Sequence, residues 1–205
     1  MFAKRSANHT LLYSTMVLLA SLTAASAAPG WGQAPGQLPQ LPGKGQAGPL
    51  TEGQHSFADQ AFVVTVLQRD ATEVQLGQLA QQKSQSDDVK QLAQKILETR
   101  TKLDLQFKAL AKVLAVSEPK GPTKKDMQLL ARLEGLSGTQ FDEEYVRVLV
   151  KNHRQDVKDF QVVAQSAENP SLQQALQMNT PILLQDLTVI ERFAQAHNIT
   201  IDAKK

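Results

Sequence analysis

Six ionisable side chains fall on or near the apolar faces of predicted helices, where unpaired charge is costly. Residues three or four positions apart share one face of a helix, and Asp70 and Glu73 thereby fall within the arc set by Phe62, Val66 and Gly77. The complete set is Asp70, Glu73, Arg100, Asp142, His153 and Asp156, with Asn152 beside them. Such groups need partners or a metal ion. This polar bundle interior is therefore the candidate site.

One interpretation is a metal site for Fe, Mn or Zn. Di-iron carboxylate bundles place inward Glu residues beside a Glu-x-x-His spacing, which brings both ligands to one helix face. Here that spacing occurs only at Glu52 and His55, in a Gly-rich segment. His153 is the only histidine inside the long central helices, and His197 lies at the C-terminal end of the fourth. We therefore expect no cofactor, and a metal is the alternative.

A second interpretation is a buried ion-pair network in which Arg100 balances Asp70, Glu73 or Asp156. Arginine suits such a network because its fork of donors matches carboxylates and does not deprotonate. In a third interpretation the six residues lie at the edges of the apolar arcs and are solvated. The chain carries no Gly-x-Ser-x-Gly, P-loop or dinucleotide fingerprint. We accordingly predict no catalytic residues and favour a non-enzymatic role, with enzymatic activity left undecided.

Hydrophobic periodicity predicts the helices that must position these residues. Four long helices are expected at about 59–83, 87–116, 141–167 and 170–197. Short turns within the first and last pairs predict antiparallel packing. Between the pairs, Pro119 to Gly138 holds a short helix with Met127, Leu130 and Leu133. The sequence thus predicts an all-α, ferritin-like four-helix bundle of two antiparallel hairpins joined by a crossover with a short helix.

The segments that precede the helices predict export. Lys4 and Arg5 precede an apolar run at 11–20, and Ala25-Ser26-Ala27 fits a signal peptidase site. Of the 27 residues at 29–55, 12 are Gly or Pro, which favours a disordered tether. The predicted domains are a signal peptide at 1–27, a linker at 28–56, the bundle at 57–199 and a tail at 200–205.

Charge and hydropathy limit the partners. The full chain has 22 basic and 20 acidic residues, so removing Lys4 and Arg5 leaves 20 of each and no net charge. We therefore expect no nucleic-acid partner. No segment of the mature chain is long and apolar enough for a membrane helix. The expected location is periplasmic or outer-membrane associated, and an envelope protein or membrane surface is the possible partner.

Several short segments carry a family resemblance. They are 73–80, 89–93, 151–153, Pro181 and above all Ser-Gly-x-x-Phe-Asp-x-x-Tyr at 137–145. On these segments the chain, from about Phe62 to Ala194, resembles the bacterial domain of unknown function 4142, often described as predicted outer-membrane proteins. The resemblance implies an exported ferritin-like helical bundle with Glu73, Asp142 and His153 turned inward.

The chain departs from that family pattern at two places. Thr99-Arg100 stands where the family usually has an Asp-His pair, and Asp186 stands where it usually has a histidine. The resemblance therefore implies fewer metal-binding side chains here and supports an ion pair for Arg100. We predict an exported envelope protein with a non-enzymatic binding or structural role. The alternative is a metal-binding or redox carboxylate bundle.

Overall fold

The computed structural model describes residues 56–201, which form five helices and, within that range, no strand. The helices are α1 (Phe57–Lys83), α2 (Asp87–Val113), α3 (Lys124–Glu134), α4 (Gly138–Ser166) and α5 (Pro170–Ala196). The prediction of an all-α fold is confirmed. The predicted signal peptide, the linker up to residue 55 and the tail from residue 202 lie outside the described residues, so those domain boundaries stay predictions.

Three of the helices begin with an N-cap residue whose side chain accepts a hydrogen bond from the first turn. The side chains of Ser86, Thr123 and Asn169 accept hydrogen bonds from the first-turn amides of α2, α3 and α5. Helix α4 begins earlier than the sequence predicted, at Gly138 rather than near Phe141. Gly138 has a φ of 55°, a left-handed conformation that glycine adopts without a Cβ clash.

Contacts at the two ends of the bundle fix the connectivity. Three-residue turns join α1 to α2 and α4 to α5. At one end Gln60 Nε2 donates to the Leu114 carbonyl, and at the other Lys83 Nζ donates to the Glu134 carbonyl. The crossover at 114–137 therefore runs the length of the bundle, and α4 is antiparallel to α1. Two hairpins joined by a crossover with a short helix are what the sequence predicted, whereas the particular likeness to ferritin remains a prediction.

The four long helices enclose one hydrophobic core. Gly77 lies where α1 packs against α2, and a Cβ there would make an ordinary but close contact of 3.4 Å with Leu97 Cβ. On α1 the buried stripe includes Leu67 and Leu76, whereas the expected Phe62 is only half-buried. Of the expected residues in α3, Leu133 alone is buried. Across residues 56–201, no helix combines the length and the apolar character that crossing a membrane requires.

Candidate functional site

Each of the four long helices contributes to a layer of buried polar side chains in the bundle centre. The members of this polar layer are at most 3% exposed, and they are Asp70, Glu73, Arg100, His153, Asp156 and Asp186. The charge of Arg100 acts on Asp70, Glu73, His153 and Asp186. Arg100 is therefore the electrostatic centre of the layer.

Arg100 makes two buried ion pairs with carboxylates from two other helices. Its Nη1 lies 3.2 Å from Asp70 Oδ1, and its Nη2 lies 2.7 Å from Asp156 Oδ2. Burial disfavours the guanidinium charge, but the attraction of Asp156, Glu73 and Asp70 outweighs it, so the pKa of Arg100 lies above its usual value. Arg100 is thus a fixed positive charge inside the bundle.

A second arginine connects this centre to the surface. Arg69 Nη1 lies 3.0 Å from Asp156 Oδ1 and 2.8 Å from Asp159 Oδ2, and the Arg69 side chain is 31% exposed. Asp156 is therefore shared between a buried and a half-exposed arginine. We call Asp70, Arg100, Asp156, Arg69 and Asp159 the ion-pair chain.

Glu73 is held by an amide instead of a cation. Its Oε1 accepts a 2.6 Å hydrogen bond from Asn152 Nδ2, while the buried Oε2 has no hydrogen-bond partner among the described residues. Burial raises the pKa of Glu73 to about 7, although Arg100 and Asn152 both favour its charged form. Burial likewise raises the pKa of Asp70 to about 8 despite the pull of Arg100.

His153 is a fully buried, neutral imidazole. Its Nδ1 lies 2.9 Å from the Leu149 carbonyl, which only accepts hydrogen bonds, so Nδ1 carries the proton. Burial and the nearby Arg100 charge hold the pKa of His153 well below its usual range. Nε2 is then an acceptor, and it finds no partner within residues 56–201.

Asp142 stands apart from the other predicted site residues. It precedes His153 by eleven positions on α4, which corresponds to about 16 Å along the helix axis. Asp142 is half-buried, and neither its Oδ1 nor the hydroxyl of Tyr145 has a hydrogen-bond partner in the described part of the chain. The structure thus brings together Asp70, Glu73, Arg100, His153 and Asp156 but not Asp142.

Three residues of the site were missing from the sequence prediction. Arg69 and Asp159 extend the ion-pair chain, and Asp186 joins the polar layer. Burial raises the pKa of Asp186, although a hydrogen bond to Thr99 opposes the shift. Its position between Leu183, Leu187 and Ile190 on the apolar stripe of α5 was the signal that could have identified Asp186 as buried.

The geometry of the layer does not fit a bound metal ion. Within residues 56–201, no group of three or more His, Asp or Glu side chains is arranged to hold one. The Asp70 and Asp156 oxygens nearest the centre already bind the guanidinium of Arg100. A divalent cation at the centre would also lie beside that fixed positive charge.

Comparison with solved structures gives the fold. The chain is similar to a crystal structure of a DUF305 fragment from Deinococcus radiodurans, with a TM-score of 0.61, 16% identity and coverage of 69% of this chain and 98% of that one. It is also similar to the crystal structure of a candidate secreted DUF305 protein from Streptomyces coelicolor, with a TM-score of 0.61 and 13% identity. That match covers 72% of this chain and 96% of the other. At these identities the likeness establishes the fold alone.

Comparison of sequences gives the family. No curated protein matches the chain. The family model for the domain of unknown function DUF4142 matches residues 44–193, which include all five helices except the last turn of α5. The resemblance seen in the sequence is thereby confirmed, and this chain belongs to the DUF4142 family.

Proposed function

We propose that the chain is an exported, non-catalytic helical-bundle protein of the cell envelope that acts by binding or as a structural component. One observation carries the proposal: a fully buried arginine binds two carboxylates from two other helices at the centre of the bundle. In this proposal the polar layer maintains the arrangement of the helices and performs no chemistry.

The chemistry of Arg100 supports this role. A guanidinium does not deprotonate in proteins, so Arg100 cannot act as a general acid or base. Its planar donors fix the positions of the partner carboxylates on α1 and α4. A buried ion pair of this kind favours one arrangement of the helices over its alternatives, and removing one partner destabilises the fold strongly.

A metal-binding or redox carboxylate bundle is the second candidate. The observation that favours it is a set of buried ligand-type atoms of the polar layer without hydrogen-bond partners among residues 56–201, namely Asp70 Oδ2, Glu73 Oε2, His153 Nε2 and Asp186 Oδ2. Carboxylate oxygen and neutral imidazole nitrogen are ligands for Fe, Mn and Zn. The positive charge of Arg100 weighs against this candidate.

Export is supported by the sequence of the first 27 residues and by the candidate secreted character of the Streptomyces coelicolor neighbour. We therefore propose a periplasmic or outer-membrane-associated location, with an envelope protein or the membrane surface as partner. The mature chain would begin at Ala28.

Expression of the full chain in a bacterial host, followed by purification from the periplasm, tests the proposal. We expect a mass that corresponds to cleavage before Ala28 and, by elemental analysis, far less than one metal ion per chain. Retention of one or two Fe, Mn or Zn ions per chain, with loss of that metal in Glu73→Gln, would overturn the non-catalytic proposal in favour of the second candidate. Glu98→Gln is the matched control, because Glu98 is exposed on α2.

A further inference from the structure

The outer face of α5 exposes no charged side chain over most of its length. Within residues 170–190 the one charged residue is Asp186, and it is buried in the polar layer. Helix α2 has the same length but exposes Lys95, Glu98 and Lys102 to solvent. A helix face that meets water normally carries charged and polar residues. The outer face of α5 therefore differs from the solvated face of α2.

Large apolar side chains are exposed on this face of α5. Met178 is 61% exposed and Ile182 is 43% exposed, and the two lie one helical turn apart. Polar but uncharged residues continue the same line towards both ends of the helix. We call this line the outer strip of α5, and its members are Ser171, Gln174, Met178, Ile182, Gln185 and Val189.

The contacts of α5 with its neighbours show that the outer strip is left open. On one side of α5, Asn179 donates a 2.9 Å hydrogen bond to Gln106 of α2. On the other side, Glu191 lies 2.8 Å from Arg154 of α4. The outer strip lies between these two sides, opposite the buried Leu183. It is thus the face of α5 that no helix of the bundle covers.

The chemistry of the outer strip is the same in both directions along the helix. From Gln174 to Gln185 the strip reads amide, apolar, apolar, amide. A two-fold axis near Thr180 would bring an antiparallel copy of α5 onto this strip. Met178 would then pack against Ile182 of the other copy. The two Gln positions would also face each other, and their amides can both donate and accept hydrogen bonds. Each contact would occur twice, as in other isologous interfaces.

We propose that the outer strip of α5 is the interface of an antiparallel homodimer of this chain. A nucleic acid, an anionic membrane or a charged protein would require complementary charge, which the strip does not offer. The formal net charge of the chain is only +2, so two copies repel each other little. A second copy is the partner whose chemistry matches the strip. The proposal adds an assembly to the function proposed above and does not depend on it.

The size of the outer strip sets the expected affinity. From Ser171 to Val189 the strip is about 27 Å long, and a helix is about 10 Å wide. Such a strip is smaller than the about 800 Å² that each partner contributes to a standard interface. We therefore expect a weak, reversible dimer with a Kd on the order of 10–100 μM.

Sedimentation equilibrium of the purified chain over a range of concentrations tests the dimer. Ile182→Glu places one carboxylate from each copy at the centre of the interface and should weaken association about tenfold or more. Leu105→Glu is the matched control, because Leu105 is 63% exposed but lies on α2, outside the strip. The control should associate like the wild type. Urea denaturation checks that both variants remain folded.

Disulfide formation tests the antiparallel register. The chain has no cysteine, so introduced cysteines can pair only with each other. A mixture of Gln174→Cys and Gln185→Cys chains should form linked dimers in air, because a disulfide needs Cα atoms within about 7 Å. Gln174→Cys chains alone should not link, since the two copies of position 174 would lie about 18 Å apart along the helix axis.

Three results would overturn the proposal. The first is a wild-type chain that stays monomeric up to about 1 mM, well above the expected Kd. The second is a loss of association in Leu105→Glu as large as that in Ile182→Glu. The third is linkage of Gln174→Cys chains to one another as readily as to Gln185→Cys chains. A chain that is exported, metal-free and monomeric would assign the outer strip to a different partner and leave the proposed function intact.

Discussion

Two parts of the polar layer differ in whether their side chains make ion pairs. The ion-pair chain links the buried Arg100 through Asp156 to the half-exposed Arg69. Each of Asp70 and Arg100 leaves one buried atom without a hydrogen-bond partner among the described residues, as Glu73 and His153 do, but Glu73 and His153 make no ion pair at all there. Well-paired networks stabilise and specify a fold, whereas unsatisfied buried groups suggest a missing ligand or water. The contrast separates a part of the layer that is held by ion pairs from a part that is not.

The supply of cationic donors explains this difference. Asp156 binds two arginines, one at each carboxylate oxygen. Asp70 has a single, longer contact with Arg100, and Glu73 has only the neutral Asn152 amide. Burial raises the pKa of Asp70 to about 8 and that of Glu73 to about 7. Two carboxyl groups of the layer therefore bind or release protons near neutral pH.

The largest expected effect comes from breaking the ion-pair chain at its buried end. Arg100→Leu leaves Asp70 and Asp156 in the core without their shared cation. We expect it to lower the free energy of unfolding by about 3–5 kcal/mol, as for other broken buried ion pairs. Urea denaturation measures the change. Adding Asp70→Asn should recover part of the loss, and unchanged stability in the single variant would mean that Arg100 is solvated.

The pH dependence of stability tests the two carboxyl groups whose pKa values burial raises, one in each part of the layer. When folding raises the pKa of a carboxyl group, the protonated group stabilises the folded state. This contribution is complete at pH values below the unfolded-state pKa, and it is lost as the pH rises through the folded-state pKa. With folded-state values of about 8 for Asp70 and about 7 for Glu73, this loss ends near neutral to mildly basic pH. We expect the free energy of unfolding to fall by about 2–3 kcal/mol between about pH 6.5 and pH 8.

Variants separate the contributions to this profile. Glu73→Gln should reduce the fall by about 1 kcal/mol, because only the Asp70 proton is then lost. His153 acts in the opposite sense at lower pH: its folded-state pKa is lowered, so its contribution is lost as pH falls below the ordinary value of 6.5. Urea midpoints across the range provide the measurement, with Glu98→Gln as control. A flat wild-type profile above pH 6.5 would contradict the raised pKa values.

The helices could be predicted from the sequence because their signals are local. Ser86, Thr123 and Asn169 lie where caps are expected, and apolar periodicity places Asp70, Glu73 and Arg100 on inward faces. Pairing depends on distances between helices far apart in the chain, which periodicity does not contain. For that reason the sequence prediction missed Arg69, which completes the ion-pair chain, although Arg69 precedes Asp70 directly in the sequence.

The smallest expected effect comes from breaking the same ion-pair chain at its exposed end. Arg69→Leu removes the contacts to Asp156 and Asp159, but solvent reaches Arg69 and screens those charges. Asp156 also keeps its 2.7 Å contact with Arg100. We expect a loss of about 0.5–1 kcal/mol by urea denaturation, comparable to surface ion pairs. A loss of stability as large as that of Arg100→Leu would show that Asp156 depends on both arginines. The ion-pair chain would then act as one cooperative unit from the core to the surface.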